Sequence, residues 1–233
     1  MVDSFDEQRA NFFSQIYAQN LWDGGESRSG QGSGVFQTQT LIDGLPAMLS
    51  RYEIESVLDI PCGDFNWMKE VDFGSTMYIG GDIVPELIEE NQRKYGSERR
   101  RFICVDLVSQ KLPTADMIFI RDCFIHFSTD LVFQSLNNIL STPIKYICVT
   151  HDMQHIRYPN GENVPLERAQ SGVNVEYRPI DFEIPPFSFP PPLDILHEHP
   201  ERKDFGGGGE YVMALWETGQ VRTALAAASS ERR

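Results

Sequence analysis

Five short apolar runs constrain this chain more than anything else in it. Ser56-Val-Leu-Asp-Ile60, Met77-Tyr-Ile-Gly-Gly-Asp82, Arg101-Phe-Ile-Cys-Val105, Met117-Ile-Phe-Ile-Arg121 and Tyr146-Ile-Cys-Val-Thr150 are too short for helices. They are also too continuously apolar for strands that face water on one side. Such runs belong to a parallel sheet covered on both faces. Helical segments alternate with them. Residues 85–95 carry Pro85 in the first turn and Gly96 just past the end, and residues 129–140 follow a capping Ser128 or Thr129. The alternation predicts βαβ units in an α/β fold, doubly wound around a mostly parallel sheet. Residues 193–197 and 210–217, joined across Gly206 to Gly209, predict a closing antiparallel hairpin and a sheet of seven strands.

The 233 residues suit one large domain. Residues 1–50 divide into an amphipathic helix from Phe5 to Gln19, a loop rich in glycine and serine, and a second helix from about Phe36 to Ser50. The loop, with Gly24, Gly25, Gly30, Gly32 and Gly34, is either a lid or a flexible linker. Residues 51–222 are expected to form the main α/β domain, with an insertion at 151–192. There a polar, irregular stretch gives way to Pro179, Pro185, Pro186 and Pro190-Pro191-Pro192, which exclude a central strand. Residues 223–233, small and charged, are expected to fray.

A net charge of -14 repels phosphate backbones, so nucleic acid is a poor partner. The four cysteines have no metal-ligand spacing and are expected to be reduced. No leader pattern opens the chain and no apolar run reaches membrane-spanning length, so a cytoplasmic protein with no membrane partner is expected. A monomer is compatible with the sequence.

The first strand runs into Val57-Leu-Asp-Ile-Pro-Cys-Gly-Asp-Phe65. Ligands of open α/β sheets bind at such strand tips. Gly63 lets the backbone approach a ligand, and Asp59 can accept a hydrogen bond from it. Asp82 ends the second strand about 20 residues after the glycine turn, where a carboxylate grips a ribose diol. Ile83 beside it can pack on a base. Asp106 ends the third strand, followed by Leu107 with its backbone N–H. One or two such acids are ordinary turn caps; three in succession form a constellation. The glycine fingerprint of nicotinamide enzymes is missing.

The turn resembles the first motif of class I S-adenosylmethionine methyltransferases, an acid opening a D-x-G-x-G-x-G run, with Pro61 and Phe65 replacing two glycines. Asn20-x-Trp22-x-x-x-Glu26-Ser27-x-Ser29-Gly30-x-Gly32-Ser33 is similar to the N-terminal signature of one subgroup, with Asp23 where its glycine stands. Arg121-Asp-Cys-Phe-Ile-His-Phe-Ser128 and Arg178-Pro-Ile-Asp-Phe-x-x-x-Pro-Phe-x-Phe-Pro190 resemble its two later motifs. That subgroup is linked to glycan synthesis and includes a rhamnose-methylating domain of a chlorovirus multidomain protein. The resemblance implies S-adenosyl-L-methionine as cofactor and a sugar hydroxyl, rhamnose of a glycan, as acceptor. It implies cofactor contacts from Trp22, Ser33, Pro61 and Arg121, and an adenine contact from Asp106.

A sugar hydroxyl needs a base, and histidine suits neutral pH. His126 is preferred, with Asp122 to orient it or to bind the cofactor amino group; His151 is the alternative. Glu26, Arg178 and Phe187 are expected on the acceptor side. No metal is expected: His197 and His199 alternate onto one face while Glu198 points away, and the two histidines are read as surface residues. His155 is a weaker candidate still. Two other functions fit the residues, methylation of another small molecule and a non-catalytic cofactor-binding module in a glycan assembly complex.

Overall fold

Residue parity along the strands sets the layering. A computed structural model describes residues 5–153, 163, 178–200 and 211–231. The strands are β1 (Ser56–Asp59), β2 (Met77–Asp82), β3 (Arg100–Cys104), β4 (Met117–Ile120), β5 (Tyr146–Asp152), β6 (Asp194–His197) and β7 (Tyr211–Glu217). They form one sheet in the order β3-β2-β1-β4-β5-β7-β6. The first five are mutually parallel. β7 runs antiparallel between β5 and β6 and forms the expected hairpin. Alternate side chains point to opposite faces. Leu58, Ile118, Ile147, Ala214 and Trp216 pack with α4 (Thr129–Leu140) and α5 (Thr218–Glu231). Val57, Met117, Phe119, Cys148 and Leu215 pack with α2 (Val35–Arg51) and α3 (Pro85–Tyr95). Each large side chain buried this way contributes about 1.5–3 kcal/mol.

Local chemistry sets the helix ends. The Ser128 hydroxyl accepts from the Leu131 N–H at 3.3 Å, and Pro85 occupies the first turn of α3. The β1–β2 crossover, broken by Pro61, Gly63 and Gly74, holds only a single 3-10 turn, Met68–Glu70. No described helix is long and apolar enough to cross a membrane.

Two expectations change here. The described residues of the C-terminal segment are helical: α5 continues to Glu231, with Val221 and Leu225 buried against the sheet. The proline segment 178–193 is a strap packed on the core. Phe187 is fully buried, 5.0 Å from the Phe182 ring and 5.1 Å from that of Phe133, so it belongs to the core and lines no acceptor site. Trp216 Nε1 donates to the Pro190 carbonyl at 2.6 Å and holds the strap to β7. Most of the 151–192 insertion (154–162 and 164–177), His155 and the glycines 206–209 lie outside the described residues.

Phe187→Ala is expected to cost about 3–5 kcal/mol of unfolding free energy. Urea denaturation checks this. A loss below 1 kcal/mol would contradict the core assignment.

Candidate active site

A cavity of about 510 Å³ opens over the C-terminal tips of β1, β2 and β4. β1 leads to β2 on one side and pairs with β4 on the other, so this is the switch point where α/β sheets bind ligands. Asp59, Pro61, Gly63, Asp82, Ile83, Asp106 and Leu107 line its floor.

Asp82 organises that floor. Its Oδ2 accepts from the Gly63 N–H at 3.2 Å, and its Oδ1 accepts from the Val84 N–H at 3.1 Å. Asn91 of α3 donates to the Gly63 carbonyl at 2.7 Å. One carboxylate thus ties the first turn to the entry of α3. Burial raises Asp82 to about 6, against the pull of these N–H donors. Asp59 accepts from the Tyr78 hydroxyl at 2.5 Å and is raised by burial to about 7.

The roof is α1 (Phe5–Gln19) and the glycine-rich loop after it, which contribute Phe13, Tyr17, Trp22 and Ser33. Asp64 anchors the loop. Its carboxylate accepts from the Ser27 hydroxyl at 2.9 Å and the Arg28 N–H at 2.8 Å, and its own N–H donates to Ser29 Oγ at 3.1 Å. Gly63 has φ +52°, and a Cβ there would fall 2.2 Å from Ser29 Oγ. The glycine is therefore needed for the approach of this loop. Arg121, at the exit of β4, donates to Glu198 at 2.8 and 3.0 Å and to the Gly32 carbonyl at 2.9 Å. These ties argue against a free linker.

The structure gathers most predicted residues and separates others. His126 ends the 3-10 turn Phe124–His126, faces the cavity, and stacks on Trp22 with ring centroids 5.9 Å apart. Asp122 and Arg121 line the same wall. His151 does not: it lies within β5 and is fully buried, with Nδ1 accepting from the Phe182 N–H. Arg178 is also fully buried. Its guanidinium donates to the Phe127 carbonyl and to Thr129 Oγ1, so the expected acceptor contact gives way to a role in fixing the His126 turn. Glu26 lies outside the cavity. It accepts from the Val35 N–H at the start of α2 and from Asn66 Nδ2, where the helix dipole favours an acid. Asp106 lines the cavity, yet its carboxylate also pairs with Arg9 of α1 and accepts from Ser109 and the Val108 N–H.

Sequence reasoning missed Asp64, Tyr78, Asn91 and Glu198. Parity placed Glu198 opposite His197, correctly. It is His197 that faces water, while Glu198 turns inward to Arg121.

Neither family models nor curated protein sequences give a match to this chain. Solved structures do. The N-methyltransferase NodS from Bradyrhizobium japonicum WM9, in complex with S-adenosyl-L-homocysteine, is 11% identical, with a TM-score of 0.56 over 88% of this chain and 97% of that one. The 1,6-didemethyltoxoflavin-N1-methyltransferase from Burkholderia thailandensis is 16% identical, with a TM-score of 0.56 over 93% and 92%. Human N-acetylserotonin methyltransferase is 13% identical, with a TM-score of 0.50 over 90% and 55%. This chain shares their fold: a Rossmann-like α/β sheet closed by an antiparallel strand.

Hydrogen bonds to a charged group are worth about 1.5–3 kcal/mol each. Asp64→Ala is therefore expected to speed tryptic cleavage after the exposed Arg28 at least about tenfold, with the melting temperature nearly unchanged. Cleavage at the wild-type rate, followed by mass spectrometry, would mean that Asp64 does not hold the loop.

Proposed function

We propose that this protein is an S-adenosylmethionine-dependent O-methyltransferase whose acceptor is a sugar hydroxyl, rhamnose of a glycan. The observation that carries the reading is the convergence of Asp59, Asp82, Asp106 and His126 on one cavity at a switch point. The sugar acceptor rests on the three motifs around Trp22, His126 and Arg178.

The lining fits the cofactor. A carboxylate offers about four acceptor positions. Asp82 uses two on backbone N–H groups, which leaves room for a ribose diol. Asp106 uses three, which leaves one for an adenine amino group. Ile83 and Leu107 supply apolar surface for the ring, and Leu107 its N–H. Trp22 Nε1 is buried without a hydrogen-bond partner and is a donor waiting for a ligand acceptor. Asp59 and Asp122 supply acceptors for an ammonium group; Ser33, Pro61 and Arg121 complete the enclosure.

When bound, the cofactor supplies an electrophilic methyl on a sulfonium sulfur. The protein's task is then to align the acceptor and take its proton. His126, held against Trp22, takes the hydroxyl proton as the oxygen attacks. The roof excludes water that would compete as nucleophile.

Asp82→Ala is expected to weaken S-adenosylhomocysteine binding at least about tenfold by calorimetry, about the worth of one charged hydrogen bond; unchanged affinity would remove the ribose assignment. The pH dependence has a definite sign. Diol donors require the ionised Asp82, and the free site protonates near 6. Affinity is therefore full well above that value and is lost as pH falls through it, about tenfold by pH 5. His126→Ala is expected to lower turnover by about 10²–10⁴ with cofactor affinity intact. Full activity would exclude it as the base.

A further inference from the structure

Resting on the methyltransferase reading above, we infer that the acceptor is uncharged or cationic, and that Glu198 enforces this. The sugar is then methylated after it has been joined to its glycan or aglycone. A sugar still carrying an activating phosphate is refused.

The argument is electrostatic and begins with the lining. Among the described residues that line it, Asp59, Asp64, Asp82, Asp106 and Asp122 are acids, and Arg121 is the one arginine or lysine. A cavity lined by one sign of charge focuses that potential and repels ligands of the same sign. Phosphoryl groups are recognised by guanidinium forks, ammonium groups or helix N-termini. The cationic groups at and beside the cavity are each paired with an acid. Arg9 of α1 pairs with Asp106. The Val84 N–H, at the N-cap of α3, donates to Asp82.

Arg121 is the informative case, because alone it would mark an anion site. It is 7% exposed and lies on the same wall as His126. Glu198, itself 5% exposed, takes its Nε and Nη2 at 2.8 and 3.0 Å, and Asp122 approaches Nη1 at 3.4 Å. Two carboxylates thus face one guanidinium. A pair this buried is costly to desolvate and gives little net stability against an apolar replacement. Its consequence for the site is to cancel the positive charge beside the proposed base. Glu198 lies just past β6, so the C-terminal hairpin brings it under the β4 tip.

The test uses the full chain saturated with S-adenosylhomocysteine. Inorganic pyrophosphate and a nucleoside diphosphate are titrated by calorimetry. Wild type is expected to show no saturable binding up to millimolar concentration. Glu198→Gln, which keeps the shape and removes one counter-charge, is expected to gain at least about tenfold in pyrophosphate affinity. Saturable binding to wild type, or no gain in a folded Glu198→Gln, would overturn the inference. Should that variant fail to fold, the wild-type titration still decides. In turnover assays, methyl rhamnoside is expected to exceed rhamnose 1-phosphate at least tenfold in kcat/KM; the reverse order would also overturn it. If the chain bound no S-adenosylhomocysteine, the methyltransferase reading would fail by itself. Pyrophosphate titrated into the unloaded protein would then still report the charge of the cavity.

Discussion

A parallel sheet covered on both faces leaves charged groups one place to stand. Between Val57 and Leu58, or Met117 and Ile120, each side chain meets a packed layer. An unpaired carboxylate there would cost several kcal/mol. Polar chemistry is therefore pushed to the strand tips, where backbone N–H groups from the following turns receive it. Asp82 shows the arrangement at its tightest, accepting from Gly63 on one side and Val84 on the other. Even so, burial lifts it to about 6 and Asp59 to about 7. Sheet, turns and cavity floor follow from one constraint.

The roof depends on pairs that are structural in themselves and functional in what they position. Asp64 gathers residues 27–29 onto the first turn, and Arg121 draws Gly32 toward β4. Arg178 holds the Phe127 carbonyl one residue after His126, and its own N–H donates to the Ile125 carbonyl at 2.8 Å. The proline strap thereby sets the turn that carries the proposed base. A residue buried in the core thus helps to place the proposed base.

The strands and helices were legible because their signals are local. Continuous apolar runs, Pro85 at a first turn and Ser128 at a cap need no tertiary knowledge. What was illegible needed a partner. α5 is Ala-rich and weakly patterned, and only contact between Val221, Leu225 and the sheet makes it helical to Glu231. Arg178 and Glu198 are residue types that rarely bury. Nothing in the sequence announces that a backbone carbonyl and Arg121 are waiting for them. Glu26 stood inside a recognised motif, yet a motif does not say whether its acid meets a ligand or a helix end. The floor was legible for the opposite reason: parallel strands bring their tips together, so acids ending three successive strands line one cavity.

The two histidines proposed for the base differ in what each ring nitrogen can do. His151 Nδ1 accepts the Phe182 N–H, so a neutral ring carries its proton on Nε2, 3.4 Å from Glu183 Oε1. Nδ1 thus serves the contact between β5 and the strap, and the ring is fully buried. His126 stands on a turn at the cavity wall, half-buried, with its ring stacked on that of Trp22. A base must reach an acceptor before its affinity for the proton matters, and of the two rings only that of His126 is placed to do so.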